Sequence, residues 1–117
     1  MTELFREHAK LVQHTAPIDR KTLWAMWGQI VVTPEWFTFD VFPKRGILQK
    51  VQPQRVAVFP TATLVSVDVE SYQAEVPTGL VAATFRRADD YLLFSLRGFV
   101  PQVRLLLEPV ARLISRA

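Results

Sequence analysis

The chain has 117 residues, with 14 lysines and arginines against 11 aspartates and glutamates, for a formal net charge of +3. That length suits one domain, which buries roughly two-thirds of its unfolded surface and needs no covalent staple. The absence of cysteine excludes disulfides, thiolate metal sites and cysteine nucleophiles, and the mild basicity falls short of the concentrated basic stripe of a dedicated nucleic-acid binder.

Residues 1–21 read as a short helix and a connector. Leu4, His8, Leu11 and Val12 follow helical spacing and make one apolar stripe. Thr2 is a suitable N-cap, Glu3 suits the first turn, and Pro17 ends the element. On such a helix His8 and His14, six apart, lie on different faces and share no metal. The opening MTELFREHAK carries charges throughout and lacks the apolar core of a secretory signal. The longest apolar run is far short of the ~20 residues a membrane span needs, so the expectation is a soluble, cytoplasmic protein.

The aromatic centre of the chain is TLWAMWGQIVVTPEWFTFDVF, Thr22 to Phe42, which holds Trp24, Trp27 and Trp36. It reads as two strands joined at Thr33-Pro34-Glu35. Ile30, Val31 and Val32 favour a pleated surface. After the turn, Phe37, Phe39 and Val41 alternate with Trp36, Thr38, Asp40 and Phe42, a period of two. Pro34 donates no hydrogen bond and belongs in the turn. Core and cross-strand packing accounts for most of this aromatic density, and a tryptophan on an exposed strand face is the one to suspect of ligand stacking.

Pro43 to Arg55, PKRGILQKVQPQR, is the one polar, turn-rich segment of any length. A strand follows at Arg55–Pro60, broken at Pro60-Thr61. Leu64 to Glu70 alternates strictly, which points Val65, Val67 and Val69 inward and Ser66, Asp68 and Glu70 outward. A shorter strand is expected over Tyr72–Val76, then a turn at Gly79, a strand over Leu80–Arg86, a turn at Arg87-Ala88-Asp89-Asp90, and a last strand over Tyr91–Arg97. Residues 22–98 thus form the β region. From Phe99 or Val100 an amphipathic helix runs to the end, with Pro101 in its first turn. Val103, Leu106, Leu107, Val110 and Ile114 form its apolar stripe. Arg104, Glu108 and Arg112 form an opposing charged row suited to exposed ion pairs. Pro109 is expected to kink it.

The expected fold is therefore mainly β with flanking helices: an antiparallel barrel or sandwich of about seven strands, capped by the C-terminal helix. This order resembles the pleckstrin-homology-like superfold, especially its bacterial and GRAM-like members, over about Leu23 to Ile114. GQIVVTPEWFTF is similar to the GRAM hairpin pattern G-x-apolar-x-apolar-T-x-x-x-apolar-x-F. TLVSVDVE and YLLFSLRGF resemble later strands of that fold. The resemblance implies a non-enzymatic interaction module that binds acidic lipids, peptides or proteins, or builds oligomers. Inositide-binding members carry a lysine and arginine pair around the first hairpin turn, whereas Thr33-Pro34-Glu35 is short and acidic. The alternative fold is a cystatin-like cone wrapped on a longer N-terminal helix.

The site candidates follow from this. Lys44, Arg45, Lys50 and Arg55 with Ile47 and Leu48 between them combine cations and aliphatics, as a peripheral anionic-membrane contact requires. Each cation near such a surface contributes about 1 kcal/mol. Against that stands a solvated loop whose Ile47 and Leu48 turn inward. An exposed strand edge is the natural surface for a protein partner or for self-assembly. An enzyme of cone type would draw on His14, Asp40 and Tyr72, which no spacing links. Asp68 and Glu70 read as a solvated face, and Arg86-Arg87 beside Asp89-Asp90 as a self-neutralising turn. No G-x-S-x-G context and no phosphate-cradling glycine loop is present. No catalytic residue, cofactor or metal is expected, and nucleic acid ranks last among partners.

Overall fold

The computed structural model describes residues 2–18, 27–41, 54–71 and 79–115. They form seven strands, one 3-10 turn and one helix in the order β1 (Phe5–His14), β2 (Trp27–Val32), β3 (Trp36–Val41), β4 (Gln54–Pro60), η1 (Thr61–Thr63), β5 (Leu64–Ser71), β6 (Leu80–Arg87), β7 (Tyr91–Arg97) and α1 (Val100–Ser115). The mainly β class with a flanking C-terminal helix holds. All strands belong to one antiparallel sheet in the order β4-β3-β2-β1-β7-β6-β5, open at both ends.

The first ten-residue element corrects the sequence reading. Phe5–His14 is a strand, not a helix, and the N-terminal helix that the cone alternative requires is replaced by it. Phe5, Ala9 and Leu11 are buried, while Arg6, His8 and Lys10 between them are exposed. That is period two, and only the half-buried Glu7 breaks it. The helical stripe was a coincidence of spacing: Val12 and His8, two of its members, lie exposed. Strand wins because β1 finds backbone partners on both sides, β2 over its first half and β7 over its second. Such pairing outweighs the few tenths of a kcal/mol per residue at stake in local propensity.

β1 is also the corner of the sheet. Lys10 pairs with Trp27 of β2 and with Ser95 of β7, and the register slips just beyond it, between Leu11 and Gln13. Four strand spacings separate β3 from β6 in the sheet order, about 19 Å if the sheet were flat. The Phe37 and Phe85 ring centroids are instead 5.0 Å apart. The two wings therefore fold over and face each other across a phenylalanine core. Phe37 stacks on Phe59 at 4.6 Å, and Phe94 meets Phe39 edge-on at 4.8 Å. Phe37, Phe39, Phe85 and Phe94 have no exposed surface.

Local chemistry sets the connections. Thr33 closes the β2–β3 turn: its amide donates to the Trp36 carbonyl at 2.8 Å and its hydroxyl accepts from the Trp36 amide at 3.0 Å. Pro34 sits in that turn as its missing donor requires. Thr61 of η1 ties the crossing from β4 to β5 onto the same turn, its hydroxyl donating to the Thr33 carbonyl at 2.8 Å. At Gly28 a Cβ would lie 2.0 Å from the Asp40 carbonyl oxygen, so the β2–β3 approach admits only glycine. Gly98, at φ +132°, turns the chain from β7 into α1, a conformation side chains rarely allow.

Two further expectations change. A register shift between Leu64 and Ser66 buries Leu64 and turns Val65 outward, 58% exposed. Val67 is half-buried against the core and Val69 is buried, as the alternation required. On α1 the buried stripe is Val103, Leu107 and Val110, with Ile114 partly buried, while Leu106 lies at its flank and is exposed. The helix runs through Pro109 as one element. The strand expected over Tyr72–Val76 lies outside the described residues. Among the described residues no helix is long and apolar enough to cross a membrane.

Candidate functional site

Of the six residues expected at a membrane or partner contact, Lys44, Arg45, Ile47, Leu48 and Lys50 lie outside the described residues. Arg55 belongs to β4, not to a loop. Its Nε donates to Asp40 Oδ1 at 2.9 Å and its Nη2 to Oδ2 at 3.3 Å, a two-pronged bond to the adjacent strand. Arg55 thus belongs to a cross-strand row, His8–Gln29–Asp40–Arg55, on the outer face of the first wing.

That row also separates the residues proposed for an enzyme. Asp40 is committed to Arg55. His14 lies six positions further along β1, opposite Leu92 of β7, and its Nδ1 donates to the Ala16 carbonyl at 3.0 Å. Tyr72 lies outside the described residues. Among the described residues no group of three or more His, Asp or Glu is placed to hold a metal ion.

The outer face of the first wing carries the described tryptophans. Trp27 is 41% exposed and Trp36 49%, so the core belongs to the phenylalanines. Trp36 borders a shallow groove of about 340 Å³ with Val31, Thr38, Arg55 and Val58. Trp27 borders another of about 450 Å³ with Glu7, His8 and Arg97. Neither gathers groups with a shared chemical task.

The second wing ends differently. β5 is the margin of the sheet, and α1 packs against it, with a smaller contact to β1. Between them runs a groove of about 360 Å³ lined by Val67, Asp68, Val69, Glu70, Arg104, Leu107, Glu108 and Ala111. The alternation of β5 gives it two characters. Val67 and Val69 point toward the core and meet the apolar face of α1, while Asp68 and Glu70 lie exposed on the other face. Asp68 contacts Arg86 of β6 at 3.4 Å, with both side chains more than half exposed. Glu70 has no ion-pair partner among the described residues. Glu108 bonds Arg112 one turn along α1.

Arg104 leaves the helical charge row. Its Nη2 donates to the backbone carbonyl of Val69 at 3.2 Å, so the helix reaches across the groove to the edge strand. A marginal strand presents unpaired N–H and C=O groups on alternate residues, and a guanidinium is well suited to cover such a carbonyl. The spacing of Arg104 and Glu108 marks them as a helix surface. Their meeting with β5, some 35 positions away, leaves no local sequence signal.

At the β6–β7 turn, Arg87 bonds Asp90 through two contacts of 2.6 Å, and its guanidinium lies 4.4 Å from the ring centroid of Phe59 in β4. The Arg87 hydrogen bonds and charge hold the Asp90 carboxyl below its usual range, and the same bonds raise the Arg87 guanidinium. The expected self-neutralising turn is therefore Arg87 with Asp90, whereas Arg86 serves Asp68. No protein-family model matches the chain, and no curated protein matches it either.

Proposed function

We propose that this protein is a non-enzymatic, pleckstrin-homology-like interaction module of the cytoplasm that docks an extended segment of a protein partner along β5. The observation that carries this reading is the groove between α1 and β5, a sheet margin that pairs only with β6 among the described residues. An added strand there gains main-chain hydrogen bonds from β5 and side-chain contacts from the helix. An antiparallel sheet followed by one C-terminal helix is the kind of architecture that the resemblance implies, and it supports the same reading, although β1 lies before the stretch the resemblance covers and six described strands fall within it. Fold alone does not choose a partner; Asp40 and His14, which an enzyme reading would draw on, lie apart and are bonded to Arg55 and to the Ala16 carbonyl.

Amide hydrogen exchange with a neutral, extended peptide of alternating threonine and valine tests this. Docking is expected to slow exchange at β5 amides and to leave those of β4 unchanged. Equal protection at β4, or none at β5, would overturn it. Vesicle co-sedimentation runs alongside: uptake by anionic vesicles without β5 protection assigns the protein to a membrane surface instead.

A further inference from the structure

Resting on the edge-docking reading, we infer that the strand received by β5 alternates basic and apolar side chains, and that Arg104 occupies its place in the free protein. The alternation comes from β5 itself. A strand added in the plane of the sheet has side chains on the same two faces as its neighbour. On the inner face those side chains lie beside Val67, Val69, Leu107 and Ala111, which favours aliphatic residues. On the outer face they lie beside Asp68 and Glu70, where directly opposed charges of opposite sign stabilise a strand pair and like charges destabilise it.

The carboxylates are placed to accept such a partner. Glu70 has no ion-pair partner among the described residues, and the Asp68–Arg86 and Glu108–Arg112 contacts lie at the surface. Exposed pairs of this kind contribute little, so an incoming cation displaces Arg86 or Arg112 readily. Arg104 is the one cation lining the groove among the described residues, and it is turned onto the Val69 carbonyl. It supplies there the donor that the amide of an added strand would supply. Its charge also repels a basic ligand, so Arg104 competes with the partner on both counts.

The test uses three fluorescent peptides of equal length, alternating lysine–valine, threonine–valine and glutamate–valine, titrated by anisotropy at about 50 and about 300 mM salt. The lysine peptide is expected to bind about tenfold tighter than the threonine peptide at low salt, with the gap shrinking at high salt. The paired substitution Asp68→Lys and Glu70→Lys is expected to erase that gap. Arg104→Ala is expected to tighten the lysine peptide by about two- to tenfold, since one competing hydrogen bond is lost. Circular dichroism confirms that each variant is folded. If threonine and glutamate peptides bind as well as the lysine peptide, the basic preference is overturned while edge docking stands. If none of the three binds, both fall. Weaker binding by the Arg104→Ala variant overturns its role as a competitor, and full lysine-peptide affinity in the doubly substituted variant overturns the placement on β5.

Discussion

Arg87 makes three contacts at once, and they hold together parts of the chain that backbone pairing leaves apart. It ends β6, bonds Asp90 in the turn, and stacks over Phe59 at the end of β4. β4 and β5 are the two margins of the sheet, so this side chain spans a seam that no ladder closes among the described residues. Its side chain and that of Asp90 are about four-fifths buried, at 23% and 17% exposure. Asp90→Asn is expected to cost about 1–3 kcal/mol at neutral pH, as befits a hydrogen bond between charged groups. The sign with pH follows from the direction of the shift. Asp90 is held below its ordinary value in the folded state, so its contribution is full above the unfolded value of about 3.9 and is lost as pH falls through the folded value. Urea unfolding of the native chain and the Asp90→Asn variant should therefore show a gap at pH 7 that closes well below pH 4. A gap of constant size would show that the carboxylate charge is not the cause.

At the scale of elements, β1 and α1 show opposite lessons. In β1 two periodicities coexist over one decapeptide, and remote partners choose between them. The odd-numbered Phe5, Ala9 and Leu11 against the even-numbered Arg6, His8 and Lys10 were visible in the sequence, but Glu7 interrupted the pattern and Leu4, His8, Leu11 and Val12 offered a rival. In α1 the apolar stripe is long enough to be unambiguous, and Val103, Leu107, Val110 and Ile114 hold the helix to the sheet through Pro109. Packing thus overrides a local penalty: proline inside a helix loses one backbone bond and typically costs about 3 kcal/mol. Pro109 is exposed, so an alanine there meets no core side chain. Pro109→Ala is expected to raise unfolding stability by about 1–3 kcal/mol, read as a higher urea midpoint at constant slope. A lower midpoint would mean that the proline shapes the contact of α1 with β5.

The whole molecule depends on one sheet folding over at β1 so that β3 and β6 meet. Phe37 lies at that meeting point, within 4.6 Å of Phe59 and 5.0 Å of Phe85 by ring centroid. Phe37→Ala is expected to cost about 3–5 kcal/mol, the transfer and cavity terms of a fully buried ring. Trp36→Ala, one residue away on the outer face, is expected to cost less than about 1 kcal/mol. Chemical unfolding of the two variants side by side checks this, and equal losses would contradict the assignment of inner and outer faces. The same fold-over leaves two margins. β4 ends on Pro60 and is tied to the β2–β3 turn through η1, whereas β5 lies beside a helix with a groove between them. That asymmetry is why the docking proposal concerns β5.

Much was legible from local pattern alone. The strands β3, β4, β6 and β7 and the start of α1 fall within about a residue or two of their sequence-based bounds, because period two, helical spacing and the punctuating Pro34, Pro60, Gly79 and Gly98 act over a few neighbouring positions. The inward set Phe37, Phe39 and Val41 follows from the same cause. Tertiary structure decided the rest. Whether Phe5–His14 pairs as a strand depends on β2 and β7, whether Val65 faces out depends on its register with β6, and whether Arg104 meets Val69 depends on how α1 lies against β5. Periodicity records which face of an element is apolar. It does not record which distant element will cover that face, and the groove beside β5 exists only once that choice has been made.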